Sequence, residues 1–447
     1  MNENERIFSN ADLKNLIIPL IWEQMLAITV GMADTMMISN AGEAAVSGVS
    51  LIDMVNNLVI SILAALSTGG AVVTSHFLGA KKKEEACKST LQLIVSSLAI
   101  TLIATVLCII CAGPIIHLFF GSIDADVYKN ALIYFILSAL SYPFLSVYNS
   151  SAALFRSMNM SNVTFRASII MNIVNVAGNA IGIYVLHAGV AGVAIPSLIS
   201  RALAAVILFL KLHNDSLDVH ILKEPFRLDL TVIKRIFYIG IPSGIENGIF
   251  QLGRVVVTSI ISTFGTVHIA ANGVANSLDS VGCITGQAMN LAFITVIGRC
   301  VGAGDEKQIR YYVKKLLIWS YAMQAVCCLA TVIFVEPVVS LYGLSEATSE
   351  LSCTLVRIHN GCAIFLWPIA FTFPNTLRAC NDVKFTMTAS IFSMIFFRIG
   401  LSLIIASHMG YGAVGVWWAM VVDWIFRSIC FITRYLSGKW RKLAHLT

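Results

Sequence analysis

The sequence is poor in charge. Of its 447 residues, 12% are charged and 57% are hydrophobic, whereas soluble proteins carry about 25% charged residues. Mean hydropathy is +0.81. A soluble chain of this size needs far more polar surface to cover its core, so a soluble enzyme and a disordered scaffold are excluded. No basic patch with interleaved aromatics appears, which argues against a nucleic-acid partner. There is no HExxH or GxSxG in an apolar run and no GxxxxGK[ST]. The chain is therefore not read as a membrane-embedded enzyme or an ATP-driven pump, and no cofactor is expected. Eleven cysteines are present, nearly all inside apolar runs. The CxxC of Cys108 and Cys111 lies in one such run. These thiols predict buried packing, not a disulfide framework or a metal site.

What is there is long apolar runs. Stretches of the length a spanning helix needs, about 20 residues, begin near Leu16, Val49, Leu91, Ala131, Ala167, Ala191, Ile236, Gly273, Leu316, Ile358, Met387 and Ala413. They predict an all-α polytopic membrane protein with twelve transmembrane helices. The first run is too long for a cleaved signal peptide, so the first helix is expected to stay in the mature chain.

Basic residues orient these spans. Of the 30 Lys and Arg residues, 24 fall on one side, among them Lys81, Lys82, Lys83 and Lys88 after the second span and Lys211, Lys223, Arg227, Lys234 and Arg235 after the sixth. The positive-inside rule then predicts a cell-membrane protein with both termini cytoplasmic. The expected domains are an N-terminal six-helix bundle over 1–210, a cytoplasmic linker over 211–235 and a C-terminal six-helix bundle over 236–447. The segments ERIFSNADLKNLI and EPFRLDLTVIKRIF are expected to form amphipathic surface helices before the first and seventh spans. A monomer is expected.

The two halves repeat. Pro19 and Glu23 in IPLIWEQMLA match Pro242 and Glu246 in IPSGIENGIF, SHFLGAKKKEEA matches GRCVGAGDEKQI, Arg156 and Asn159 match Arg378 and Asn381, and His187 matches His408. Motifs in the same order at nearly half the chain length indicate an internal duplication. Each half has an even number of spans, so both enter the membrane in the same orientation. The two repeats are then related by a pseudo-two-fold axis along the membrane normal, an arrangement suited to alternating access.

Ionisable groups inside a bilayer are costly, so each is a functional candidate. Asp34, about twenty residues into the first span, is the foremost. A carboxylate removed from water readily holds a proton or a monovalent cation, and either competes with a cationic substrate for one negative charge. Its alternative role is pairing with a neighbouring Asn. Glu23 lies eleven residues earlier on the same helix face, about 16 Å away along the axis, and reads equally as a second cation station or as a structural acid. Glu246, its repeat mate, reads as a substrate or cation ligand or as half of a Glu–Arg pair with Arg254. Asp53 and Asp279 align between the halves as helix-orienting acids. Asp423 is expected to pair with Arg427 one turn on. Asn172, Asn175 and Asn179 share one face of the fifth span and suit interhelical hydrogen bonding. Gln24, Asn247, Gln251, Arg254 and Trp367, with Phe250 and Met289, complete the candidate cavity lining. Arg254 and Arg398 are read as the deep arginines, so acids are expected to dominate the cavity.

These repeated segments resemble the multidrug and toxic compound extrusion (MATE) family over almost the whole chain. The likeness rests on Pro19, Gln24 and the Met32-Ala33-Asp34-Thr35 run, on Leu78-Gly79-Ala80 and Val301-Gly302-Ala303, on ALFRSMNMSNVTFRASIIMNIVN at 153–175, and on GVWWAMVVDWIFR and RYLSGKW near the C-terminus. The resemblance implies an antiporter that exports small organic, often cationic, compounds against inward Na+ or H+. It places the coupling residue at Asp34, with a possible Na+ beside it, and puts Asn175 and Asn179 next to that residue. The chain departs from the family where some members carry an acid at the position of Asn179, and in IFLWPIAFTFPNTL, which holds none; the coupling ion therefore stays open. A lipid-linked precursor flippase of the same superfamily is the alternative. A major facilitator would have an Asp-Arg-Gly signature after the second span, and HFLGAKKKEEA does not fit it.

Overall fold

The computed structural model of the chain describes residues 6–222 and 227–445, and none of these lies in a β-strand. The first six spans are Asn10–Ile38, Glu43–Gly79, Lys83–Ile110, Ala125–Ser157, Ser161–Ala180 and Ala191–Lys211. The seventh is Leu230–Ser262, and the eighth is Thr266–Gly282 followed by Ile284–Gly302. The ninth is Glu306–Ile333, the tenth Glu346–Trp367, the eleventh begins with Val383–Ser393 and the twelfth is Gly412–Leu436. Among the described residues, eleven helices are long and apolar enough to cross a membrane. The seventh span has the length, 33 residues, but Glu246, Asn247, Gln251 and Arg254 dilute its apolar character. With its eleven companions it completes the expected all-α fold of two six-helix halves. Large apolar side chains on these helices, such as Met36, Ile110, Leu329 and Ile429, stay exposed, as lipid contact requires.

Three sequence expectations change. The N-terminal segment forms no separate surface helix, because one helix starts at Asn10 and runs unbroken into the first span. The seventh-span helix likewise starts at Leu230 and continues to Ser262; Lys223 and residues 224–226 of the expected linker helix lie outside the described residues. The eighth span is broken at Cys283, which carries φ −98° and ψ 3°. The apolar pattern runs through this break and so conceals it.

The chain divides into two compact units, one of residues 10–244 and one of residues 245–445 joined by residues 6–9. In the first, Ile52, Val55, Ala112, Ile116, Ala131 and Phe135 form a buried cluster. Its fifth and sixth spans touch through backbone: a Cβ on Gly182 would lie 2.2 Å from the carbonyl oxygen of Gly192, and one on Gly178 would lie 2.6 Å from Pro196. Small residues are what allow such an approach in a membrane.

In the second unit the core gathers Trp367, Trp417 and Trp424 with Val257, Ala271 and Ala363. The N-terminal residues dock here. Phe8 N donates to Tyr312 Oη at 2.9 Å, that hydroxyl donates to Phe8 O at 2.7 Å, and Ile7 N donates to Gln308 Oε1 at 2.9 Å.

The duplication recurs in the backbone. Asn159 and Asn381 both take left-handed φ, 64° and 66°, a conformation Asn tolerates better than most residues. Wide π-helical turns at Ile181–Val185 and Leu403–His408 stand at matching places just before or at His187 and His408. Such turns are frequent at functional sites.

Candidate functional site

The polar residues of the first unit converge on Asp34. Its side chain is half-buried and accepts a hydrogen bond from Asn179 Nδ2 at 2.6 Å. The same amide lies 3.4 Å from Asn175 Oδ1, and Asn175 Nδ2 donates to Ser197 Oγ of the sixth span at 2.9 Å. Asn172 turns instead to Ser168 Oγ at 3.4 Å. Asn175 and Asn179 are linked to each other along the fifth span, and of the three amides Asn179 is the one that bonds Asp34. Asn179 is fully buried, and its Oδ1 has no hydrogen-bond donor. Buried polar atoms are rarely left unmatched, so this oxygen, beside a carboxylate, is suited to a monovalent cation or a proton donor.

Around this centre lie Asp53, which the sequence singled out as an orienting acid, and Arg201, Tyr134 and Ser197, which it did not. Asp53 and Arg201 are charged neighbours of Asp34. Tyr134 Oη donates to Asp53 Oδ1 at 3.0 Å, Tyr142 Oη donates to Asn56 Oδ1 at 2.6 Å, and Arg201 Nη1 donates to Ser141 Oγ at 2.6 Å. Asp53 therefore has a phenol partner, in line with an orienting role.

Glu23 and Glu246 are each held by an arginine. Arg156 Nη2 donates to Glu23 Oε1 at 2.7 Å, and the pair is nearly closed to solvent. Thr164 Oγ1 and Tyr148 Oη also donate to this carboxylate, at 3.3 and 3.5 Å. Arg378 Nη2 donates to Glu246 Oε1 at 2.8 Å. The Glu–Arg pair weighed for Glu246 exists, but its partner is Arg378 in place of Arg254. A cation reaching either glutamate meets a carboxylate whose charge is already shared with a guanidinium.

The second unit also corrects the expected charge balance. Arg427, buried to 3% exposure, donates from Nε to Asp423 Oδ1 at 2.9 Å, as the one-turn spacing predicted. Ser393 Oγ also donates to that carboxylate. Arg427 is nonetheless an arginine within the spans, as are Arg254 and Arg398, and it is buried, with Arg398 nearly so. Acids therefore do not dominate here. Trp367 is buried with its ring centroid 5.0 Å from that of Phe371. Phe250 is half-buried against the same ring at 6.0 Å. Met289 is fully buried and packs within the helices. Gln24, Asn247 and Gln251 are partly exposed on the first and seventh spans. All eleven cysteines are free thiols. Among the described residues, no group of three or more His, Cys, Asp or Glu side chains is placed to hold a metal.

Comparison with known proteins identifies the family and the fold. The profile of the MatE family matches residues 19–181 and 242–404, the two halves in turn. The chain is 26% identical to the uncharacterized transporter YisQ of Bacillus subtilis, covering 96% of this chain and 94% of that one. It is 24% identical to the probable multidrug resistance protein NorM of Thermotoga maritima, covering 98% and 94%. Among solved structures it superposes on a MOP superfamily transporter from Pyrococcus furiosus with a TM-score of 0.84 at 21% identity, covering 97% and 96%. It also superposes on a MATE transporter of Vibrio cholerae with a TM-score of 0.87 at 17% identity, covering 98% and 97%.

Proposed function

The chain belongs to the MATE family of transporters, and from that premise we propose that it is a secondary antiporter that exports small organic cations in exchange for Na+ or H+ by alternating access. The contact of Asn179 with Asp34 carries the reading. Asp34 offers one negative charge in a membrane-spanning unit, and the unmatched Asn179 oxygen supplies a second ligand beside it. A coupling ion and a cationic substrate compete for that charge, so loading one expels the other, and the alternation of the two loaded states is the exchange. The name of the Thermotoga relative, a probable multidrug resistance protein, supports a drug-like substrate.

In this reading Asp34 is the coupling acid. Asn175, Asn179 and Ser197 position it, while Glu23 and Glu246 act through their arginines. The basic connections face the cytoplasm with both termini, and the halves 1–210 and 236–447, joined by the linker 211–235, act as the two moving bundles of a monomer. The flippase alternative draws on one observation, the arginines at 254 and 398, which suit a pyrophosphate.

The test is ethidium efflux from proteoliposomes under separately imposed Na+ and H+ gradients. Movement driven by one gradient and abolished in Asp34→Asn is the expected result. Movement that persists in Asp34→Asn overturns the assignment of the coupling acid. No movement under either gradient, with scrambling of a labelled lipid pyrophosphate, favours the flippase.

A further inference from the structure

Within the second unit, three arginines and one acid meet in the membrane-spanning region. Arg398 of the eleventh span has Asp423, Arg254 and Arg427 as its charged neighbours. Asp423 is fully buried and committed to Arg427, whose Nη2 also donates to Ser390 O at 3.3 Å. Arg398 Nη1 stands 3.9 Å from the other Asp423 oxygen, beyond hydrogen-bond reach. Glu246, two turns before Arg254 on the same face of the seventh span, is taken by Arg378. Asp279 is bonded to Asn360 at 2.7 Å and flanked by His359. Two guanidiniums, those of Arg427 and Arg398, thus share one carboxylate, and Arg254 stands near Arg398 with no acid of its own among the described residues.

Arg254 has no ion-pair partner among the described residues, and Arg398 has only the long contact with an Asp423 already bonded to Arg427. Among the described residues neither guanidinium makes a hydrogen bond, although Arg398 is only 12% exposed and its Nε is closed to solvent. Arg254 is exposed. Uncompensated charge at membrane depth faces a water-filled cavity or a ligand, and the guanidinium fork matches carboxylate and phosphate oxygens. The site also has an aromatic wall. The ring of Phe250, one turn before Arg254, lies with its centroid 6.0 Å from the Arg398 guanidinium carbon and 5.7 Å from that of Arg427. Phe371 and Trp367 continue the wall.

We propose that the second unit holds a binding site for an organic anion, with Arg254 and Arg398 gripping its acidic group and Phe250 packing against its apolar body. Arg427, neutralised by Asp423, positions Phe250 and Arg398. The site extends the substrate class from cations to aromatic anions and zwitterions, and it is independent of coupling at Asp34.

The test is equilibrium binding of carboxyfluorescein to the purified full-length protein in detergent, read by fluorescence anisotropy. No gradient is applied, so failure of antiport and failure of this site are separable. Saturable binding to the wild type is expected, with Kd raised at least about tenfold in Arg254→Gln, because a lost charge-assisted hydrogen bond is of that order. Arg254 is exposed and unpaired, so its replacement leaves no buried charge behind. Arg254→Lys retains part of the affinity, and Arg357→Gln, which removes an equal charge from a surface pair with Glu336, binds as the wild type does. Absence of saturable binding to the wild type overturns the proposal, and so does an unchanged Kd in Arg254→Gln.

Discussion

Glu246 takes its hydrogen bond from Arg378 at 2.8 Å, as Glu23 takes one from Arg156 at 2.7 Å in the other half. Equivalent glutamates and arginines are thus paired in both halves, and each pair ties the first helix of its half to the C-terminal end of the fourth. Arg378 also donates to Asn375 Oδ1 at 2.7 Å. Because both partners are largely buried, removing one strands the other. Arg378→Met is expected to destabilise the protein by about 3–5 kcal/mol. The double variant Glu246→Leu with Arg378→Met is expected to recover much of that loss. Thermal unfolding of detergent-purified protein measures both; equal losses in the single and double variants would count against the pair.

Asn179 is the only residue with a hydrogen bond to the Asp34 carboxylate among the described residues. Asn179→Ala removes that donor and the free oxygen together. Gradient-driven ethidium efflux is expected to fall at least about tenfold, the size of one charge-assisted hydrogen bond, with folding retained. A stopped-flow efflux assay beside a melting curve separates the two effects.

Tyr312 both accepts from and donates to the backbone of Phe8. Tyr312→Phe keeps the edge-on ring contact with Phe8 at 5.9 Å between centroids but strands one buried N–H and one C=O. A loss of about 1–3 kcal/mol is expected. Faster protease cleavage after Arg6 is the accompanying sign.

Gly182 leaves no room for a side chain. Gly182→Leu would drive carbon into the Gly192 carbonyl, and properly folded protein is expected to vanish from size-exclusion profiles. Gly31, around which a Cβ meets nothing within 4 Å, is the control; Gly31→Ala is expected to elute as the wild type does.

The fold was largely legible because membrane helices must satisfy their backbone internally, which makes long apolar runs unambiguous. The offset between Glu23 and Glu246 and between Arg156 and Arg378 was legible as a repeat. Their pairing was not, since the partners lie 133 and 132 residues apart and no single-helix pattern links them. Asn179 was found because spacing puts it on one face and the family places that face beside Asp34. Tyr134, Ser197 and Arg201 were missed because helical periodicity tells which residues share a face and not which face meets which neighbour. The same limit hid the basic character around Arg398: read along the chain, Asp423 and Arg427 cancel, whereas in space that one acid is shared with Arg398, and Arg254 stands nearby with none among the described residues.

The contact of Gly182 with Gly192 has a bearing on how this protein diverges. A tight contact between unequal side chains can drift, one partner shrinking as the other grows. Here both partners are already the smallest residue available. Neither position has a compensating change open to it, so each substitution is blocked in every genetic background that keeps the helix spacing. Lineages that alter the site around Asp34 and Asn179 must therefore do so by exchanging residues upon a fixed pair of helices, not by moving the helices apart.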